Sequence, residues 1–164
     1  LFYPDGTIQH AGIILGYCRV AGETMKGLPN NHPGQMQRAN IVQNVSAVTG
    51  ACLAIQRSKY NEIGGLDQKN LKVAFNDVDF CLRLIESGFR NLYTPFAKMI
   101  HHESISRGRD DTPSKKARFV SEANYMKHRW KDFINNDPMY NQNLSLGQHR
   151  QFEMAYPPRK VKYD

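Results

Sequence analysis

Residues 72–84, KVAFNDVDFCLRL, hold two carboxylates, Asp77 and Asp79, two residues apart at the head of an apolar run. Val78, Cys81, Leu82 and Ile85 recur at helical spacing, and Gly88 closes the run, so the segment reads as a helix. Asn76 is a favoured capping residue, and acidic residues in a first turn meet the positive end of the helix dipole. That accounts structurally for both carboxylates. The same geometry also suits a catalytic base. A carboxylate at a helix start, at the mouth of a sheet, faces the crevice where α/β proteins bind ligands. Phe75 and its apolar neighbours would partly desolvate it and raise its basicity.

Two further segments carry chemistry. His101 and His102 follow a strand-like run, and adjacent strand residues point to opposite faces, so only one of them can enter a given site. A divalent metal needs more ligands than this segment supplies, which leaves packed or surface histidines as the plainer reading. Residues 103–111, ESISRGRDD, offer hydroxyls, backbone amides made accessible by Gly108, and two arginines. These are phosphate-binding parts, although a solvated loop has the same composition.

The elements that must position these residues alternate between strand and helix, which predicts an α/β fold with a mixed sheet. Pro4-Asp5-Gly6 is turn chemistry, and a strand follows over 13–15. Residues 16–44 are rich in Gly, Pro, Asn and Gln and read as a long loop with one short helix near 34–41. VSAVTGACLAIQ, residues 45–56, is β-branched and apolar and predicts a buried strand. Ser58 is placed to cap a short helix that Gly64 and Gly65 stop. After the helix that starts at Asn76, FRNLYTP predicts a strand ended by Pro95, and AKMIHH a second short one. Thr112 then caps a long helix from about 113 to 133, with Pro113 at the favoured first position. From residue 135 the Asn, Gln and Pro content predicts an extended tail.

The chain has 164 residues, 40% hydrophobic and 23% charged, which suits one globular domain. No apolar run approaches the ~20 residues that span a bilayer. The three cysteines, Cys18, Cys52 and Cys81, are widely spaced in apolar surroundings and read as buried free thiols of a reducing compartment. A net charge of +7 favours anionic partners, and the basic residues concentrate in the C-terminal third.

Taken in order, VTGACLAIQRSKYNEIGGLDQ, AFNDVDFCLRLIESGFRNLYTP and HHESISRG, preceded by YPDGTIQHAG, resemble the family 2 glycosyltransferases, particularly those of bacterial O-antigen and surface polysaccharide assembly. The resemblance covers residues 1–146 and leaves 147–164 as an extended basic tail. It implies the C-terminal, acceptor-side portion of a GT-A (nucleotide-diphospho-sugar transferase) fold, with a mixed sheet flanked by helices. It implies an inverting transfer of sugar from a nucleotide-diphosphate donor to a saccharide or lipid-linked acceptor.

In that resemblance Asn76 and Asp77 occupy the place of the family's Glu-Asp pair, with Asp77 the general base and Asn76 a departure. Asp79 and Asn76 fall on the acceptor side, although Asp79 also serves as support for the first helical turn. His101, or alternatively His102, matches a metal ligand, and Ser106 and Arg107 fall in the loop that closes over the donor diphosphate. The family's Asp-x-Asp motif for Mg²⁺ or Mn²⁺ is expected upstream. Asp77-Val78-Asp79 has that form but opens a helix in the wrong segment. The implied setting is cytoplasmic, with peripheral contact at the inner face of the membrane. The rival readings are a non-catalytic basic module that docks on membrane or a partner, and a nucleic-acid binder. The latter is suggested by charge alone, without aromatics interleaved as stacking platforms.

Overall fold

A computed structural model describes residues 1–103, 112–147 and 150–159. Along the chain run β1 (Ile13–Leu15), β2 (Ala21–Glu23), β3 (Gln43–Val45), α1 (Arg57–Glu62), α2 (Asn76–Glu86), β4 (Asn91–Tyr93), α3 (Pro113–Arg129) and α4 (Lys131–Asn135). β1 pairs antiparallel with β2, Ile14 opposite Gly22, and β3 pairs antiparallel with β4, Asn44 opposite Leu92. A bridge between Ile13 and Ala47 joins the two ribbons, and a parallel bridge links Phe2 to Ile100. The class is mixed α and β. Among the described residues the strands form two antiparallel ribbons rather than the mixed sheet that was expected.

β1 shows how three residues serve two cores. Side chains alternate across a strand. Ile13 and Leu15 enter the main core with Leu71, Val78, Leu82 and Met126, while Ile14 enters a second one with Tyr17 and Tyr140. The loop expected over 16–44 contains β2. Gly16, at φ 77°, makes the reversal, with its N–H donating to the Val20 carbonyl at 2.8 Å. A Cβ at Gly16 would lie 2.4 Å from the Ile134 carbonyl oxygen, so only glycine fits there.

Several expected elements are shorter or begin elsewhere. Of the strand predicted over 45–56, only Val45 lies in β3, because Thr49 takes the Ala51 N–H on its hydroxyl at 3.3 Å and bends 50–52 into a 3₁₀ turn. α1 starts at Arg57, one residue before Ser58, and Gln56 before it makes no side-chain cap. The predicted strand over 97–102 is reduced to the bridge at Ile100. α3 starts as expected, with Thr112 Oγ1 accepting from the Lys115 N–H at 3.4 Å, but breaks at Trp130, after which α4 resumes. The segment after residue 135 folds back. Tyr140 is buried, its hydroxyl donates to the Ser145 carbonyl at 3.0 Å, and Leu144 bridges Met154. The cysteines are all free, but only Cys81 is fully buried, and Cys18 is exposed. Burial pushes the Cys81 thiol up to about 12.

The packing of α2 against α3 centres on Asp79, which has no exposed surface. Its Oδ1 accepts from the Trp130 indole N–H at 2.9 Å and lies 3.4 Å from Arg129 Nε, while Oδ2 accepts from Arg83 Nε at 2.8 Å. Arg83 uses its remaining nitrogens on the Ile63 and Gly65 carbonyls, at 2.7 and 2.6 Å, where α1 ends. One carboxylate thus joins three helices. Asp79→Ala should lower stability by roughly 3–5 kcal/mol, because it leaves a largely buried guanidinium unpaired. Urea unfolding followed by circular dichroism measures it, and a loss under about 1 kcal/mol would show the pair to be no stronger than a surface salt bridge.

Candidate active site

α2 begins without the cap expected from sequence. Asn76 is its first helical residue, and the residue before it, Phe75, is left-handed at φ 62° with no capping side chain. The chain that enters the helix is held from outside instead. Glu122 of α3, itself buried, accepts the N–H groups of Val73 and Ala74 at 3.1 and 2.9 Å. This fixes the strained entry into α2.

Asp77 is half-buried. Its Oδ2 accepts the Gly50 N–H at 2.8 Å and its Oδ1 the Val78 N–H at 2.9 Å. Gly50 suits the contact because a Cβ there would sit 3.3 Å from Asp77 Cβ, tighter than ordinary packing. Accepting a backbone N–H on each oxygen holds the carboxylate in one orientation. Asn76 stands beside it, also half-buried. Asp79 faces the interior with both oxygens engaged, so no open oxygen meets an acceptor hydroxyl there. The geometry serves its supporting role in the first turn.

His101 is half-buried, its Nδ1 lying 2.9 Å from Gln9 Oε1, and its backbone N–H donates to the Phe2 carbonyl at 2.9 Å. With Gln9 Oε1 as acceptor the proton sits on Nδ1 and leaves Nε2 as a ligand atom. His102 is exposed. Among the described residues no three His, Cys, Asp or Glu gather around one point, so one imidazole alone does not fit a resident divalent ion. Ser106 and Arg107 lie outside the described residues.

Sequence reasoning passed over a cluster beside this turn. His10 is 6% exposed, and its Nε2 accepts the Thr49 N–H at 3.4 Å. The proton is therefore on Nδ1, which has no hydrogen-bond partner and faces Glu23 Oε1 at 4.0 Å. Burial lowers the His10 pKa to about 3, so the ring is neutral and the approach to Glu23 is not an ion pair. Glu23 is pushed up by burial and by the charges of Glu103 and Asp77, against the pull of Lys26 Nζ at 3.2 Å. Burial works against the Lys26 ammonium, but Tyr3 and Glu23 outweigh it and hold its pKa above the usual range. Tyr3 in turn donates to Glu103 at 2.9 Å. The available signal was the Gln9-His10 pair after a Pro-Asp-Gly turn, which placed a polar dipeptide just before an apolar strand.

A cleft of about 750 Å³ opens next to the turn, lined by Leu1, His10, Cys52, Leu53, Phe89 and Arg90 among others. Asp77 is not among its lining residues. Its link to the cleft runs through the Thr49–Gly50 turn and His10.

No family model and no solved structure matches the chain. Curated sequences do. Over 157 residues the chain is 48% identical to the uncharacterized protein y4gI of Sinorhizobium fredii, covering 96% of this chain and 17% of that protein. Over 155 residues it is 32% identical to the O-antigen biosynthesis protein RfbC of Myxococcus xanthus, covering 89% of this chain and 11% of that one. A 66-residue stretch is 36% identical to the N-acetylglucosaminyl-diphospho-decaprenol L-rhamnosyltransferase of Mycobacterium tuberculosis, covering 40% of this chain and 21% of the relative. The chain spans less than a fifth of the length of the first two relatives.

Burial of His10 has a consequence for stability. The folded ring resists protonation down to a pH of about 3, whereas the unfolded ring takes a proton near 6.5. This contribution is complete above pH 6.5 and is lost as pH falls from there toward 3. It should amount to about 2 kcal/mol by pH 5. Urea unfolding of the wild type and His10→Gln at pH 7 and pH 5 should show the difference between them shifting by that amount in favour of the variant. A pH-independent difference would mean that His10 is protonated within the fold.

Proposed function

We propose that the chain is the acceptor-side part of a glycosyltransferase of cell-surface polysaccharide assembly, with Asp77 as its general base. Similarity to proteins named for O-antigen biosynthesis and rhamnosyl transfer supports the class. The single observation that carries the catalytic assignment is the Asp77 carboxylate, half-exposed at the start of α2 and held by the Gly50 and Val78 amides. Nucleotide-sugar is the donor, and a saccharide or lipid-linked saccharide the acceptor.

In this reading the acceptor hydroxyl oxygen attacks the anomeric carbon of the donor sugar. The bond from that carbon to the diphosphate oxygen breaks, and its electron pair leaves with the nucleotide diphosphate. The hydroxyl proton passes to Asp77, and configuration inverts because one displacement occurs. The Gly50 turn and the helix start each contribute one preorganised donor that keeps the base in place. By the resemblance, His101 Nε2 would supply at most one ligand to a Mg²⁺ or Mn²⁺ site. Arg107 and Ser106 are assigned to the donor diphosphate by resemblance alone.

A second role, peripheral attachment to an anionic membrane surface, is supported by α3. Phe119 and Val120 are 45% and 56% exposed on a helix that also exposes Lys116 and Lys127. No described helix is long and apolar enough to cross a membrane.

The base assignment makes a direct prediction. Asp77→Asn in the full-length protein should reduce transfer by ~10²–10⁴ while donor affinity changes little. Single-turnover kinetics and donor titration, run separately, measure the two. Turnover at the wild-type rate would remove Asp77 from the chemistry.

A further inference from the structure

Two cavities adjoin the wide cleft and have no part in the proposed reaction. The smaller, of about 160 Å³, shares Leu1, His10 and Tyr93 with the cleft. It shares Phe2, Asn30 and Lys98 with a larger one of about 440 Å³. His10 also accepts the Thr49 N–H, so the smaller cavity lies between the larger one and the turn that holds Asp77. The larger volume falls within the range of about 300–1,000 Å³ that small-molecule sites occupy.

The backbone around the larger cavity is fixed. The Phe2 N–H donates to the Met99 carbonyl and the His101 N–H to the Phe2 carbonyl, both at 2.9 Å. The His32 N–H donates to the Pro29 carbonyl at 2.9 Å, which makes Asn30 and Asn31 the middle residues of a turn. The Tyr3 hydroxyl is anchored on Glu103 at 2.9 Å. Against this frame the side chains of Asn30, Asn31 and Lys98 are exposed and make no hydrogen bond or ion pair among the described residues. No Asp or Glu lines any of the three spaces, and the charged side chains on their walls, Lys98, Lys59 and Arg90, are all cationic.

We propose that the larger cavity binds an acidic sugar unit of the acceptor, distal to the hydroxyl that reacts. This deepens the reading of the chain as the acceptor side of a glycosyltransferase and rests on it. A pyranose ring has an apolar C–H face and an edge of hydroxyls. The rings of Phe2 and Tyr3 offer an apolar surface for the face. A carboxamide carries two donors and an acceptor, so Asn30 and Asn31 can each engage neighbouring hydroxyls. Lys98 supplies a charge-assisted bond to a sugar carboxylate. Other occupants fit less well. A basic peptide would meet no carboxylate here, and a hydrocarbon chain would cover Asn30, Asn31 and Lys98 without bonding them. The smaller cavity then carries the saccharide from this unit toward the Thr49–Gly50 turn.

The test is titration calorimetry on the full-length protein with three tetrasaccharides. One alternates glucuronate and N-acetylglucosamine, one is all galacturonate, and cellotetraose is the neutral control. At least one acidic probe should bind more tightly than cellotetraose. Lys98→Gln should weaken that probe by about tenfold and leave cellotetraose unchanged. Asn30→Ala and Asn31→Ala should each weaken it by about three- to tenfold. All three side chains are exposed, and circular dichroism should show each variant folded. Acidic probes that bind no better than cellotetraose, or that are indifferent to the three substitutions, overturn the proposal. Inorganic phosphate that displaces the probe at equal concentration also overturns it, because the cavity is then a plain anion site. In either case an inactive Asp77→Asn leaves the glycosyltransferase reading standing. Probe binding that responds to Lys98, Asn30 and Asn31 supports the site even where Asp77→Asn keeps its activity.

Discussion

The buried Asp79 carboxylate is the constraint on which the rest of the arrangement depends. A fully enclosed charge must be paired, and this one is paired with Arg83, Arg129 and the Trp130 indole. The pairing sets the rotation of α2 about its own axis. Residues two apart on a helix point about 200° away from each other. With Asp79 locked inward, Asp77 has to face outward, toward the Gly50 amide. The candidate base is therefore aimed by a neighbour that takes no part in its chemistry.

A second buried carboxylate plays a similar part on the other side of the molecule. Asp137, after α4, accepts the Leu15 and Met139 N–H groups, both at 2.7 Å, and the Ser46 hydroxyl. Burial pushes it up while those donors pull it down. It ties β1 to the segment after β3. Asn91 does the same for β4 and α2, its amide donating to the Ser46 and Cys81 carbonyls at 3.0 and 2.9 Å. Strands of three residues form too few ladder bonds to be stable alone. Side chains that bond to backbone at long range hold them together, and Asp137 and Asn91 both meet Ser46, just after β3.

The turn at Thr49 and Gly50 is where structure and proposed chemistry meet. Its amides face His10 and Asp77, and the adjoining residues Val48 and Cys52 line the open cleft. A fold does not define a reaction. The reaction class proposed for this chain rests on similarity to relatives of which it spans only part, together with one carboxylate at a helix start.

From the sequence alone, α2, the start of α3 at Thr112-Pro113 and the stop at Gly64-Gly65 were legible, because helical periodicity, caps and positive-φ glycines act over a few residues. The candidate base was legible for the same reason, as an acidic residue in a recognisable first turn within a resembling segment. Tertiary structure alone decided the rest. Asn76 looked like the cap but is the first helical residue, and Glu122, 46 residues further along the chain, holds the entry by accepting the Val73 and Ala74 amides. β2 has almost no strand propensity in Ala-Gly-Glu and exists because β1 lies beside it. α3 breaks at Trp130, the residue whose indole N–H donates to the distant Asp79. His10 and Glu23 could not be singled out, since their significance lies in what surrounds them, and burial and distant charge have no local signature in a sequence.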